Sequence, residues 1–265
     1  IAKSHPEVMS HCPDPSEPLD PTRKSVYEFI SNLYSEIAHL FPDNLIHIGG
    51  DEVSFDCWKN TRSIQQFMKH FGMHNETDLY AHFERILQSI VSEMHNKTTI
   101  VWQEAFNLGL PLRNDTIIDV WKLSDNTTVA QATARNHSVL ISSCWYLDYL
   151  NRDWKDFYSC VPRNFTGTTQ QKSRVIGGHA SMWGERVDAA NFMSRVWPRA
   201  SAAAERLWTG SLKSAQETVR ERIIEFRCYM VANGIAAEPV APGCCLREPD
   251  YTHEKRPRMA RKNGI

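Results

Sequence analysis

No apolar run in this 265-residue sequence reaches the ~18 residues that a membrane-spanning helix needs, so no transmembrane segment is expected. An excess of one charge is lacking too: 30 Lys and Arg stand against 31 Asp and Glu, for a net charge of -1. That balance argues against nucleic acid or an anionic membrane as the main partner. There is no C-x-x-C pair and no Cys/His cluster at zinc spacing, which excludes the common structural metal sites. An initiating Met is missing as well. The chain begins at Ile1 with no signal peptide ahead of it, and is read as processed or incomplete.

What is present points first to a compartment. Six N-x-S/T sequons occur, at Asn75, Asn96, Asn114, Asn126, Asn136 and Asn164, where chance would give roughly two. Passage through the secretory pathway, with these six as glycosylation sites, is the expectation. Seven cysteines stand at 12, 57, 144, 160, 228, 244 and 245, so disulfides are open to the chain, but the odd count leaves at least one thiol unpaired. The length is near the roughly 250 residues of a (β/α)8 barrel, so one large domain is possible.

Along the chain, prolines 6, 13, 15 and 18 mark an extended opening loop. Thr22 is placed to cap a helix running to about Leu40, with Val26, Phe29, Ile30, Leu33, Ile37 and Leu40 at helical spacing. Leu45–Ile48 then reads as a short buried strand ending at Gly49-Gly50. Further strands are expected at 99–102, 116–121, 138–142 and 175–178. Helices are expected near 62–71, 78–95, 127–135, 194–208 and 213–233, the 78–95 helix with Leu79, Phe83, Ile86, Leu87, Ile90 and Val91 inward. Short apolar strands alternating with helices mean an α/β fold, a parallel sheet covered on both faces. Five such units cannot close an eight-stranded barrel. Their order suggests units four to eight of a TIM barrel, apparently incomplete. Residues 1–246 read as a partial catalytic barrel domain with C-terminal helices, and 247–265 as a basic, disordered tail.

The sharpest candidate for chemistry is His47-Ile48-Gly49-Gly50-Asp51-Glu52. Two glycines allow a tight turn at the strand end, and two adjacent carboxylates follow. Neighbouring residues on a strand point to opposite sides, so a turn or bulge is needed to bring both to one cavity. Two carboxylates in one cleft repel, so one should ionise while the other keeps its proton to higher pH, the division of labour of an acid beside an anionic stabiliser. An acidic pair can also simply complement the dipole of a following helix. The buried strand and the Gly-Gly turn favour the site. Trp102, Trp121, Trp145 and Trp183 each fall at or just past a strand end. Any one of them reads more readily as core, but four together suit a pocket for sugars, with their apolar faces and polar edges. Tyr146, Asp148 and Glu185 follow two of these tryptophans.

The stretches HIGGDEVSFDCW (47–58), VWQE (101–104), VW (120–121), WYLD (145–148), SMWGE (181–185) and WPRASAAAERLW (197–208) resemble family 20 glycoside hydrolases, in family order over about residues 1–246. The resemblance, strongest toward animal lysosomal β-hexosaminidase subunits, implies a retaining, substrate-assisted β-N-acetylhexosaminidase that needs no metal and no cofactor, a departure from the usual two-carboxylate scheme. It implies Glu52 as acid and base, Asp51 on the acetamido nitrogen and Tyr146 on the acetamido oxygen. Trp102, Trp121 and Trp183 would wall the pocket, and Asp148 and Glu185 would hold the outer hydroxyls. It also implies bridges Cys12–Cys57 and Cys228–Cys245, leaving Cys144, Cys160 and Cys244 spare. The partner would be a glycan ending in β-linked N-acetylhexosamine, with a homodimer at full length and a lysosomal or secreted location. Asp148 resembles the subunit type that prefers neutral sugars. Two positions depart from the family pattern: His179 where Glu is common, and Asp119 where Glu or Gln is. An enzyme nucleophile at Glu104 or Glu185, or a sugar-binding fragment without turnover, are the competing readings.

Overall fold

Parallel strands buried on both faces draw on β-branched and aliphatic residues, and the five apolar runs supply them. In the computed structural model, which describes residues 1–12, 18–122, 125–210, 216–242 and 245, they form β1 (Leu45–His47), β2 (Thr98–Trp102), β3 (Ile117–Val120), β4 (Val139–Ile141) and β5 (Val175–Gly178). All pair in parallel in the sequential order β1-β2-β3-β4-β5. All four residues of β3 are buried. The helices are α1 (Lys24–Leu40), α2 (Asp56–Asn60), α3 (Arg62–His70), α4 (Glu76–His95), α5 (Gln103–Asn107), α6 (Asn126–Ala134), α7 (Trp154–Tyr158), α8 (Thr169–Ser173), α9 (Phe192–Val196), α10 (Arg199–Thr209) and α11 (Gln216–Ala232). The result is an α/β fold with five parallel strands in one sheet.

The chain divides into two compact units, residues 1–149 with 159–182, and residues 150–158 with 183–265. The first holds the sheet. Its helix α1 starts one residue past the expected cap: Thr22 donates its hydroxyl to Asp20 Oδ1 (2.6 Å) instead of closing the helix end. Arg23 Nε donates to the other oxygen of this buried Asp20 (2.8 Å). Val26 and Ile30 of α1 are buried, but Leu33 and Leu40, expected to face inward, are 39% and 62% exposed. Helix α4 carries its own caps: the Asn75 side chain accepts from the Asp78 N–H at the start, and Asn96 takes a left-handed conformation (φ 52°) at the end. Its core face includes a polar pair, Glu84 and Gln88, both buried, with Gln88 Nε2 donating to Glu84 Oε1 at 3.0 Å. Gln88 Oε1 in turn accepts from the Arg113 N–H at 2.9 Å. Burial pushes the Glu84 carboxyl up to about 7, against the pull of the Gln88 hydrogen bond.

In the second unit the helix expected over 194–208 is two helices, α9 and α10, separated at Trp197-Pro198. Pro198 has no N–H for a helical bond, and Arg199 Nε instead caps the Arg195 carbonyl at 2.8 Å. Helix α7 packs on α10, and Glu205 accepts from the Tyr158 hydroxyl at 3.2 Å.

Cys12 is bridged to Cys57 and Cys228 to Cys245, with Cα separations of 5.6 and 5.1 Å. A third bridge corrects the reading of Cys144 and Cys160 as spare: they are joined, their Cα atoms 5.8 Å apart, within the range a disulfide spans. Cys244 and the tail from 247 lie outside the described residues. All six sequon asparagines are exposed. Among the described residues no helix is long and apolar enough to cross a membrane.

Candidate active site

Strand β1 runs out into a turn that few side chains could tolerate. Gly49 and Gly50 have φ of 83° and 102°, and Glu52 has φ of 48°. At Gly50 a Cβ would meet the Tyr80 hydroxyl at 2.8 Å. Buried Tyr80 donates that hydroxyl to the Gly50 carbonyl at 2.9 Å, so α4 pins the turn from below. Gly50→Ala is therefore expected to destabilise the chain by about 2 kcal/mol, from left-handed strain and the clash together. A urea-unfolding midpoint unchanged from the parent would show that the turn is not so constrained. Glu52, a non-glycine residue in the left-handed region, is held there by the same turn and is exposed, while Asp51 is half-buried. Tyr80 is kept a neutral donor: burial pushes its hydroxyl up, and the negative charges of Glu84, Asp51 and Glu104 push the same way.

The next strand ends carry an aromatic wall. Trp102, at the end of β2, lies 6.5 Å from Trp121 between ring centroids, edge to face, and Trp121 lies 5.8 Å from Tyr146, which packs on Tyr149 at 5.3 Å. Trp121 is fixed at both its ring and its backbone. Glu104 accepts from its indole Nε1 at 2.9 Å and pairs with Lys122 Nζ at 3.0 Å. The fully buried Gln103 accepts from the Trp121 and Lys122 N–H groups at 3.0 and 2.8 Å and donates to Asp125. Asp125 caps α6 by accepting from the Thr128 N–H (3.0 Å). Glu104, considered above as a nucleophile, is thus engaged in holding Trp121.

Tyr146 is set by its bridge to Ser181, and the Leu147 N–H donates to the Ser181 carbonyl at 2.7 Å, tying the β4 exit to the β5 exit. Asp148 Oδ1 is buried without a hydrogen-bond partner, a costly state for an acceptor. Under the wall sits a buried carboxylate. Asp119, in the middle of β3, accepts from Ser142 Oγ (2.8 Å) and His179 Nε2 (2.6 Å), and His47 Nε2 stands 3.7 Å away. Burial alone would raise its pKa, but the His179 bond, the His47 ring and the Ser142 hydroxyl outweigh it and hold the carboxyl down at about 2.

The structure thus brings Asp51, Glu52, Trp102, Trp121, Tyr146 and Asp148 into one unit, at the exits of β1 to β4. Trp145 is not part of the wall: it is 1% exposed, packed where a Cβ on Gly178 would meet its ring at 2.5 Å. Trp183 (42% exposed) and Glu185 belong to the other unit. The anchoring roles of Gln103, Glu104 and Asp119 were not foreseen. Asp119 did carry a signal, a charge inside an otherwise apolar buried strand, which has to be paired. Among the described residues no group of three His, Cys, Asp or Glu could hold a metal ion.

Residues 2–211 match the glycosyl hydrolase family 20 catalytic domain. The chain is 41% identical to beta-hexosaminidase subunit alpha of Mus musculus over 249 residues, 92% of this chain and 47% of that protein. It is 42% identical to beta-hexosaminidase subunit beta of Rattus norvegicus over 237 residues, 87% of this chain and 44% of that one. The chain therefore spans about half the length of the curated relatives it matches. Among solved structures, a chitobiase of Flavobacterium johnsoniae superposes with a TM-score of 0.77 at 27% identity, over 89% of this chain and 38% of that one. An exo beta-N-acetylglucosaminidase of Vibrio harveyi in complex with N-acetylglucosamine shares the fold, with a TM-score of 0.78 at 23% identity, over 90% and 41%. A strand-end turn bearing two carboxylates, an aromatic wall on the next strand ends and a domain match over most of its length agree: the chain belongs to glycosyl hydrolase family 20.

Proposed function

We propose that this chain carries the catalytic face of a retaining exo-β-N-acetylhexosaminidase, acting on glycans with a terminal, non-reducing GlcNAc or GalNAc. The observation that carries the reading is the pinned Gly49-Gly50 turn presenting Asp51 and Glu52 in the same unit as the Trp102–Trp121–Tyr146 wall. Glu52, exposed at the turn, donates its proton to the glycosidic oxygen as the bond to the anomeric carbon breaks. The acetamido oxygen of the same sugar attacks that carbon and closes an oxazolinium ion. Asp51 accepts from the acetamido N–H and offsets the positive charge, and Tyr146 donates to the acetamido oxygen. Glu52, now a carboxylate, takes a proton from water as it opens the ring, which restores the acetamide and retains the anomeric configuration. Trp102 and Trp121 wall the sugar.

Asp148 takes an outer hydroxyl. For Asp148 the unpartnered buried oxygen supports this, since a hydroxyl donor would satisfy it. A carboxylate there, beside Tyr149, repels sulfated or sialylated sugars and selects neutral ones. Six exposed sequons and three disulfides support passage through the secretory pathway to a lysosomal or extracellular site. The five parallel strands are read as the second part of an eight-stranded barrel, and the full-length protein as a homodimer.

The test is hydrolysis of 4-methylumbelliferyl β-N-acetylglucosaminide with and without an N-acetylglucosamine thiazoline, which mimics the oxazolinium ion. Strong competitive inhibition is expected. A sugar trapped covalently on Glu104 or Glu185 would replace this mechanism with an enzyme nucleophile. Sugar binding with no hydrolysis would leave a binding protein built on the same pocket.

A further inference from the structure

Asp119 and His179, sixty residues apart in the chain, meet in space: His179 Nε2 donates to Asp119 Oδ2. A second histidine, His47, faces that oxygen from 3.7 Å. His47 Nδ1 accepts from the Gly49 N–H at 3.0 Å, and a backbone N–H can only donate, so Nδ1 carries no proton. The ring hydrogen therefore sits on Nε2, which is buried, lacks a hydrogen-bond partner and points at Asp119 Oδ2 from 3.7 Å. Both rings flank Trp102, at centroid distances of 4.4 Å for His47 and 6.2 Å for His179. The other Asp119 oxygen is taken by Ser142, and His179 Nδ1 faces Ser181 Oγ at 3.2 Å. One buried carboxylate thus sits where the exits of β1, β2, β4 and β5 converge.

We propose that Asp119 is a positioning residue. It fixes the tautomer and orientation of His47 and His179, and through them the Gly49 turn that presents Asp51 and Glu52 and the face of Trp102. The negative charge is the working part: an anion at Oδ2 favours hydrogens on both Nε2 atoms, which frees His47 Nδ1 to accept from Gly49. Lose it, and the Gly49 N–H alone is left to select the His47 tautomer. The Nδ1–H form then turns an acceptor toward Asp119's place and a donor against the Gly49 N–H, and the turn shifts. A carboxylate pair displaced by less than an ångström reacts more slowly while the sugar still binds.

This rests on the hexosaminidase reading for its kinetic arm only. Imidazole nitrogen NMR of the 15N-histidine-labelled 265-residue chain reads the tautomers without any activity. The unsubstituted chain should show His47 protonated at Nε2 and bare at Nδ1; the opposite tautomer overturns the proposal, whether or not the chain hydrolyses substrate. In Asp119→Asn, a mixed or inverted His47 tautomer is expected. It should accompany a kcat loss of about ten- to a hundredfold with KM changed by less than about threefold. An unaltered His47 tautomer together with an unaltered kcat in a folded Asp119→Asn chain overturns it. If that variant does not fold, the tautomer of the unsubstituted chain decides.

Discussion

Glu52→Gln is expected to lower the turnover of an unactivated β-N-acetylglucosaminide by about 10²–10⁴-fold, the usual contribution of a positioned general acid. Glutamine keeps the size of the side chain and its place on the Gly49-Gly50 turn, so the loss isolates the proton. The leaving group supplies the diagnostic. A sugar linked to an acidic phenol departs with little protonation, so the variant should lose far less on a dinitrophenyl glycoside than on a disaccharide. Asp51→Asn should behave differently, because charge on the acetamido nitrogen is needed whatever the leaving group. Its loss should be similar on both substrates. A Glu52→Gln chain that cleaves the disaccharide at the parent rate would remove Glu52 from the acid role.

The second large effect concerns stability and pH. Glu84 is buried on α4, where it accepts a hydrogen bond from Gln88, and the ionisable groups that feel it include Tyr34 of α1 and Tyr80 of its own helix. Its carboxyl titrates near 7 in the fold, against 4.5 in the unfolded chain. Below pH 4.5 both states are protonated and the group is neutral in its effect. Between 4.5 and 7 the unfolded chain releases its proton while the folded one keeps it, so stability falls with rising pH, by roughly 3 kcal/mol in all. Asp119 acts on the other side: held near 2 in the fold against 3.8, it adds stability that is lost as pH drops through 4 toward 2. For these two groups taken together, stability is greatest at about pH 4 to 5. Thermal unfolding of the chain across pH 4.5 to 8 checks this. Glu84→Gln, which keeps an oxygen for Gln88, should flatten the slope. A slope that survives the substitution intact would clear Glu84 of responsibility.

How far the residues alone announced this architecture depended on the length of each pattern. Helix α4, twenty residues long, shows its period plainly, and the five strands stand out as short aliphatic runs ended by Gly, Trp or Ser. Five-residue helices such as α2, α5, α7 and α8 carry barely one turn, too little for a period to register. Leu33 and Leu40 followed the apolar stripe of α1 yet face outward, because period reports which side a residue takes and not what covers that side. Glu84 and Gln88 failed in the opposite sense: polar residues on the stripe are read as solvated, and only the neighbours show them buried. For the site, position was enough to nominate Asp51, Glu52, Trp102, Trp121 and Tyr146, since strand exits converge in a parallel sheet. The Asp119–His179 contact joins residues sixty apart, and the Cys144–Cys160 bridge depends on Cα proximity; neither distance is written in spacing.

The sequential strand order has a consequence for how the molecule is made. Every strand pairs with its successor, so no strand waits for a partner that is synthesised later and inserted between two earlier ones. Each βα unit can dock on the sheet as it leaves the ribosome, and at any moment the growing sheet has a single newly exposed edge. The four pairings still span long crossovers, which slows each step, but the steps run in one direction. A ribosome that stalls midway leaves a shorter sheet with its pairings intact, and α4, with both of its caps Asn75 and Asn96, is made before the residues of the aromatic wall.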